Sequence, residues 1–182
     1  YIDAEKGVET VADALAGASD IIAEWVSDDA ALRKSLRELI RRGGQLHTEA
    51  ATEEDSVYRL YYDFTQSVSR LQGHQVLAIN RGEKEKFLKV SLQLDHERAM
   101  QTVYRAVVIP GSRAMDFVKA AALDAYDRLL FPSMERETRT ELTDSACEGA
   151  IGQFALNLRP LLMQPPVKGK VTMGLDPGYR MG

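Results

Sequence analysis

The longest amphipathic pattern in the chain lies at its front and restricts what the rest can fold into. Apolar residues recur at Val8, Val11, Leu15, Ala18, Ile22 and Val26, three or four positions apart. That period gathers them on one side of an α-helix, which must bury its apolar side against other elements. The spacing returns at Leu32, Leu36, Leu39 and Ile40, and Asp28 or Asp29 offers a side-chain oxygen to cap this second helix. Gly43-Gly44 is expected to stop it in the left-handed cap conformation, which glycine adopts without a clash. Two amphipathic helices in succession commit the chain to a helix-on-helix core.

One stretch departs from that period. Leu88, Val90, Leu92 and Leu94 alternate with Lys89, Ser91 and Gln93, the pattern of a strand with one wet face. A single strand is not stable alone, and the short segment 45–52 is its nearest partner in the sequence. Between the two lie Tyr58, Tyr61, Tyr62 and Phe64, either interhelix packing or a surface on which bases stack. Short helices are predicted over 67–71 and 73–81.

Asp95 can cap a helix carrying Ala99, Met100, Val103, Tyr104 and Val107, and Pro110-Gly111 breaks the chain after it. Ser112 is then expected to cap a longer helix with Met115, Val118, Ala122, Tyr126 and Leu129 inward. Pro132-Ser133 is expected to interrupt it, and a last helix to run to about Arg159, where Pro160 ends or kinks it. The middle of that helix is small at Ala146, Gly149, Ala150 and Gly152, so a helix–helix crossing is expected there. Gln164-Pro165-Pro166 is an extended linker, after which Val171, Met173 and Leu175 alternate as a strand. The fold class is therefore mainly α, a helical bundle with a small antiparallel β element, followed by a strand that opens something new.

Composition narrows the functional classes. Hydrophobic residues make up 45% and charged ones 27% of the 182 residues, an ordinary globular balance. A net charge of -4 argues against a chain that grips nucleic acid over its whole surface, and leaves room for a local basic face. The one cysteine, Cys147, excludes an internal disulfide and suits a reducing, cytoplasmic setting. No apolar run approaches the roughly 18 residues of a membrane span. Tyr1-Ile2-Asp3 at one end, and a strand with a Pro177-Gly178 turn at the other, are expected of a piece of a larger protein.

Arg33, Lys34, Arg37 and Arg41 share a side of the second helix, and with Arg42 they form the candidate phosphate-contacting group. The plainer reading is a solvated face balanced by Glu38. Arg81, Lys84, Lys86 and Lys89 form a second basic group with Glu83 and Glu85 interleaved. His47, His74 and His96 have no metal-ligand spacing with one another or with Cys147. No glycine-rich phosphate loop is found, since Arg41-Arg42-Gly43-Gly44 follows a helix rather than a strand. No metal and no cofactor is assigned. Asp176, at the end of the last strand, sits where an acid can hold a divalent metal, although a plain β-turn is the simpler account of Asp-Pro-Gly.

Residues 158–182, LRPLLMQPPVKGKVTMGLDPGYRMG, resemble the junction into the RNase H-like (YqgF) domain of the bacterial transcription accessory protein Tex family. DALAGASDIIAEWVSDDAALRKSLREL (13–39), YYDF (61–64) and GHQVLAINRGEKEKFLKVSLQLD (73–95) resemble the family's helical entry, aromatic motif and helix–turn–strand, in the same order. The resemblance implies a central helical region over 1–163, a linker over 164–169 and the truncated start of an RNase H-like domain over 170–182. It further implies a non-enzymatic scaffold whose nucleic-acid contacts, RNA or DNA, lie chiefly in C-terminal modules, with RNA polymerase as a possible partner. An alternative is a metal-dependent nuclease of the RuvC type, in which Asp176 is the first metal-binding carboxylate and the other acids lie beyond Gly182. The apolar strand at 170–175 is also expected to seek a sheet edge, if need be on a neighbouring molecule.

Overall fold

The computed structural model describes residue 3 and residues 7–165 and 168–175. Helix α1 (Val11–Asp28) opens on a capping box: the Thr10 hydroxyl accepts the Asp13 N–H, and the Asp13 carboxylate accepts the Thr10 N–H. Asp29 caps α2 (Ala30–Gly43) by accepting the Leu32 N–H at 2.8 Å. The chain then forms β1 (Gln45–Ala50), β2 (Asp63–Ser67), α3 (Gly73–Lys84) and β3 (Leu88–Gln93). Asp95 caps α4 (His96–Val107), accepting the Arg98 N–H at 3.0 Å. Helix α5 (Met115–Asp124) continues through a π-helical turn (Ala125–Leu130) into α6 (Phe131–Leu162).

The core is the predicted helical one. Val26, Leu32, Leu36, Ile40, Met100, Val103, Tyr126, Leu130 and Met134 form one buried cluster, joined from the sheet by Leu92. The sheet has the order β2-β1-β3 with both pairings antiparallel, so segment 45–52 is confirmed as the partner of the alternating strand. Its dry face buries Leu46, Leu88 and Leu92, and α3 lies against it through Val76 and Ile79. Gly82 sits where α3 meets β3. A Cβ there would come within 2.7 Å of the Leu88 side chain. Thr48, fully buried on the same face, donates its hydroxyl to the Tyr61 carbonyl.

Five expectations are corrected. Residues 63–67 form the third strand rather than leading into a helix. The helices expected over 67–71 shrink to a 3₁₀ turn, Val68–Arg70, because the β1–β2 ladder holds the backbone extended up to Ser67. Pro132 does not interrupt the last helix. The Phe131 N–H donates five residues back to the Tyr126 carbonyl, so the register slips just before a residue that has no N–H to give. Ser112 does not cap α5: its hydroxyl accepts the Ala114 N–H inside the turn that follows Gly111, and the helix starts later.

Gly44 is not left-handed. Its φ of -70° is extended, and glycine is required for space instead, since a Cβ would lie 2.6 Å from the Ile40 carbonyl oxygen. The small stretch of α6 is a crossing only at its start, where Gly73 of α3 approaches Ala146; Gly149 and Gly152 face open space. Residues 170–175 have no ladder partner among the described residues, and Val171, Met173 and Leu175 are exposed. A strand exists only where a second backbone pairs with it.

Candidate nucleic-acid interface

The spacing of the basic residues on α2 does bring them to one side, but that side is engaged by the protein itself. Arg33 donates from Nε to the Ser27 carbonyl at 2.7 Å and reaches the Ser133 hydroxyl with both terminal nitrogens, tying the α1–α2 corner to α6. Arg37 forms a two-point pair with Glu137 of α6, at 2.5 and 3.3 Å. Arg41 grips Glu38 at 3.0 and 2.6 Å, and Arg42 shares the same carboxylate at 3.1 Å. The hydrogen bond from Arg41 holds the Glu38 carboxyl below its usual range, and the one from Glu137 raises Arg37 further above its own. A guanidinium already forked onto a carboxylate must give up that pair before it can take a phosphate. Lys34 alone of the five is exposed with no ion pair among the described residues.

The Arg37–Glu137 pair is half-exposed, with side-chain accessibilities of 48% and 30%. Arg37→Ala is therefore expected to cost only about 0.5–1 kcal/mol of stability, and the cost should shrink in high salt. Thermal melts at low and high ionic strength check this; a large salt-independent loss would show a buried role.

The second basic group differs from the first. Glu83 turns inward to pair with Arg139 of α6, and Glu85 accepts the Tyr58 hydroxyl at 2.8 Å. Arg81, Lys84, Lys86 and Lys89 are left exposed around the α3–β3 turn. The aromatics serve packing. Tyr58 is buried against Phe87 with ring centres 5.8 Å apart, Tyr61 meets Phe64 edge-on, and the Tyr62 hydroxyl bonds the Glu54 carbonyl. His47 bridges Thr65 and Glu49, and His96 contacts Asp127; no group of three metal-ligating side chains occurs among the described residues. The groove between the start of α3 and α6, ≈ 710 Å³, is lined by Leu71, Gly73, Leu77, Leu142 and Ala146 and holds no cluster of acids. Asp176 lies outside the described residues.

Two structural roles were not foreseen. Glu135 accepts the outward-facing Leu92 N–H of β3 at 2.7 Å, closing that sheet edge. Arg139 joins Glu83 and Asn80, and Asn80 in turn donates to Thr143. The available signal was spacing: Glu135, Arg139, Leu142 and Ala146 recur on one side of α6, the side that meets α3 and β3.

Residues 1–154 match the family described as Tex central region-like. The chain belongs to the Tex family. It is 38% identical over 187 residues to the protein YdcI of Bacillus subtilis, covering 100% of this chain and 26% of that protein. The transcriptional accessory protein Tex of Neisseria gonorrhoeae is 30% identical over 178 residues, covering 93% and 24%. The human S1 RNA-binding domain-containing protein 1 is 29% identical over 193 residues, covering 97% and 19%. This Tex-family chain thus spans about a quarter or less of the length of these relatives, and the helical bundle with its small sheet is the part it represents. None of its helices, among the described residues, is long and apolar enough to cross a membrane.

Proposed function

We propose that this chain is a non-catalytic helical support within a Tex-type transcription accessory factor, holding nucleic-acid-binding modules in place rather than gripping nucleic acid itself. The observation that carries this reading is the use of the α2 arginines. Arg33 and Arg37 tie α2 to α6, and Arg41 and Arg42 close on Glu38, so four of the five candidate phosphate contacts stiffen the bundle. The continuous α6, 32 residues and about 48 Å long, is suited to setting a fixed distance between the bundle and whatever follows. The RNase H-like identity of residues 170–182, a polymerase contact and a cytoplasmic setting belong to the same proposal. They rest on the family and on the printed names of relatives, one of which is an S1 RNA-binding domain-containing protein.

The test compares this chain with its full-length parent for binding of labelled single-stranded RNA and DNA by fluorescence anisotropy across a salt series. The parent is expected to bind with an affinity that falls steeply with salt, and the 182-residue chain at least about a hundredfold more weakly. Tight, salt-sensitive binding by the chain alone, abolished when Arg37 and Arg41 become glutamine, would assign the grip to α2 and end the support reading.

A further inference from the structure

The two outer edges of the sheet are treated differently. The Ala50 N–H donates to the Tyr62 carbonyl and the Val68 N–H to the Gly44 carbonyl, which fixes the β1–β2 ladder on positions 46, 48, 64 and 66. Asp63, Thr65 and Ser67 therefore turn their backbone N–H and C=O groups away from β1. On β3 the equivalent outward N–H of Leu92 is taken by Glu135, whereas β2 has no strand beside it among the described residues. Its edge is also electrostatically incomplete. Asp63 lies directly opposite Glu49, a like-charge pair, and only the far side of Glu49 is balanced, by Lys89. Asp63 has no ion pair among the described residues.

Residues 168–175, Lys-Gly-Lys-Val-Thr-Met-Gly-Leu, have the complementary properties: two lysines, no acid, and a period-two pattern. In their own molecule they are exposed, Val171 at 104% and Leu175 at 84%. Helix α6 carries them about 24 Å beyond Ala146, its last buried residue. We propose that the free edge of β2 is the docking site for residues 168–175 of a second copy of this chain, giving a reciprocal strand-exchanged dimer. Pairing along Asp63, Thr65 and Ser67 satisfies the open backbone groups and sets Lys170 beside Asp63, with Lys170, Thr172 and Gly174 on the wet face and Val171, Met173 and Leu175 on the dry one. Because each copy offers one edge and one strand, two copies close on each other and growth stops at two.

Sedimentation velocity on the 182-residue chain, from about 1 to 100 µM, should show a monomer–dimer equilibrium. Thr65→Pro removes an N–H that β1 does not use, and is expected to weaken dimerisation at least about tenfold without lowering helical content. Asp63→Lys should weaken it similarly by facing Lys170, and Lys170→Glu added to Asp63→Lys should restore it. A chain that stays monomeric throughout, or a dimer indifferent to Thr65→Pro and to the charge swap, overturns the proposal.

Discussion

Replacing Leu36 with alanine is expected to cost about 2–5 kcal/mol of unfolding free energy. Leu36 is 1% exposed and sits in the main cluster with Ile40, Val103 and Leu130. The cost of such a truncation depends on how far the surroundings collapse into the cavity, and here they are held. Asp29 pins the start of α2, the Gly44 N–H on the Ile40 carbonyl pins its end, and Arg37 fixes its middle to α6. A helix tied at three points has little freedom to slide, which places the cost in the upper half of the range. A typical domain has about 5–15 kcal/mol in all, so the loss is a large fraction of the whole. Urea titration should show a lower midpoint with an unchanged slope, as expected when only the folded state has lost packing. Trp25→Ala is the control. The side chain is larger but 74% exposed, so a shift within about 0.5 kcal/mol is expected. Equal losses at the two sites would mean that α2 is not where the cluster places it.

Leu36 and its neighbours were legible because burial follows period. A helix that hides one side must repeat its apolar residues every three or four positions, and α1, α2 and α4 do. The caps at Asp29 and Asp95 were legible for a local reason too: each carboxylate needs only the N–H three residues on. What escaped was decided at a distance. Asp63-Phe64-Thr65-Gln66-Ser67 has one aromatic and no alternation of note, and it is a strand because β1 offers an edge to it. Pro132 breaks a regular helix locally, yet the π turn ahead of it keeps Tyr126, Leu130 and Met134 in the core while removing the need for its N–H. Burial there also pushes the Tyr126 phenol up to about 12. The tail of α6 shows the converse. Ile151, Phe154 and Leu161 are exposed although their spacing is helical, because spacing says which side of a helix is apolar and not whether anything covers it.

The candidate site was legible in one respect only. Residue spacing correctly gathered Arg33, Arg37 and Arg41 on one side of α2, but the identity of their partners depended on Ser133 and Glu137, about a hundred residues away in sequence. Glu38 was the partner that could be read directly, being three and four residues from Arg41 and Arg42. In the second basic group the same limit acted in reverse. Glu83 and Glu85 interleave with the lysines in sequence, yet Arg139 and Tyr58 draw them away in space.

At Gly44 two physical accounts of one glycine predict different mutational outcomes, and the difference is measurable. If the residue were needed for a left-handed cap, Gly44→Ala would cost about 1 kcal/mol, and Gly44→Asn would recover much of it, because asparagine tolerates that conformation. The observed φ of -70° and ψ of 144° suit any residue, so conformational preference is not the constraint. The constraint is contact: a Cβ would stand 2.6 Å from the Ile40 carbonyl oxygen and 3.0 Å from the Ile40 side chain. That oxygen already accepts the Gly44 N–H at 2.7 Å, so it cannot retreat without lengthening the bond that ends α2. Relief by moving the chain would displace β1, which begins at the next residue and is the central strand of the sheet. Both Gly44→Ala and Gly44→Asn are therefore expected to destabilise by about 1–3 kcal/mol, with asparagine no better than alanine. The smaller unfolded-state entropy of alanine offsets only about 0.4–1 kcal/mol of this. Equilibrium unfolding of the two variants beside the parent chain decides it. Recovery of most of the lost stability by asparagine alone would show that handedness, and not the close approach to Ile40, selects glycine where the helical layer passes into the sheet.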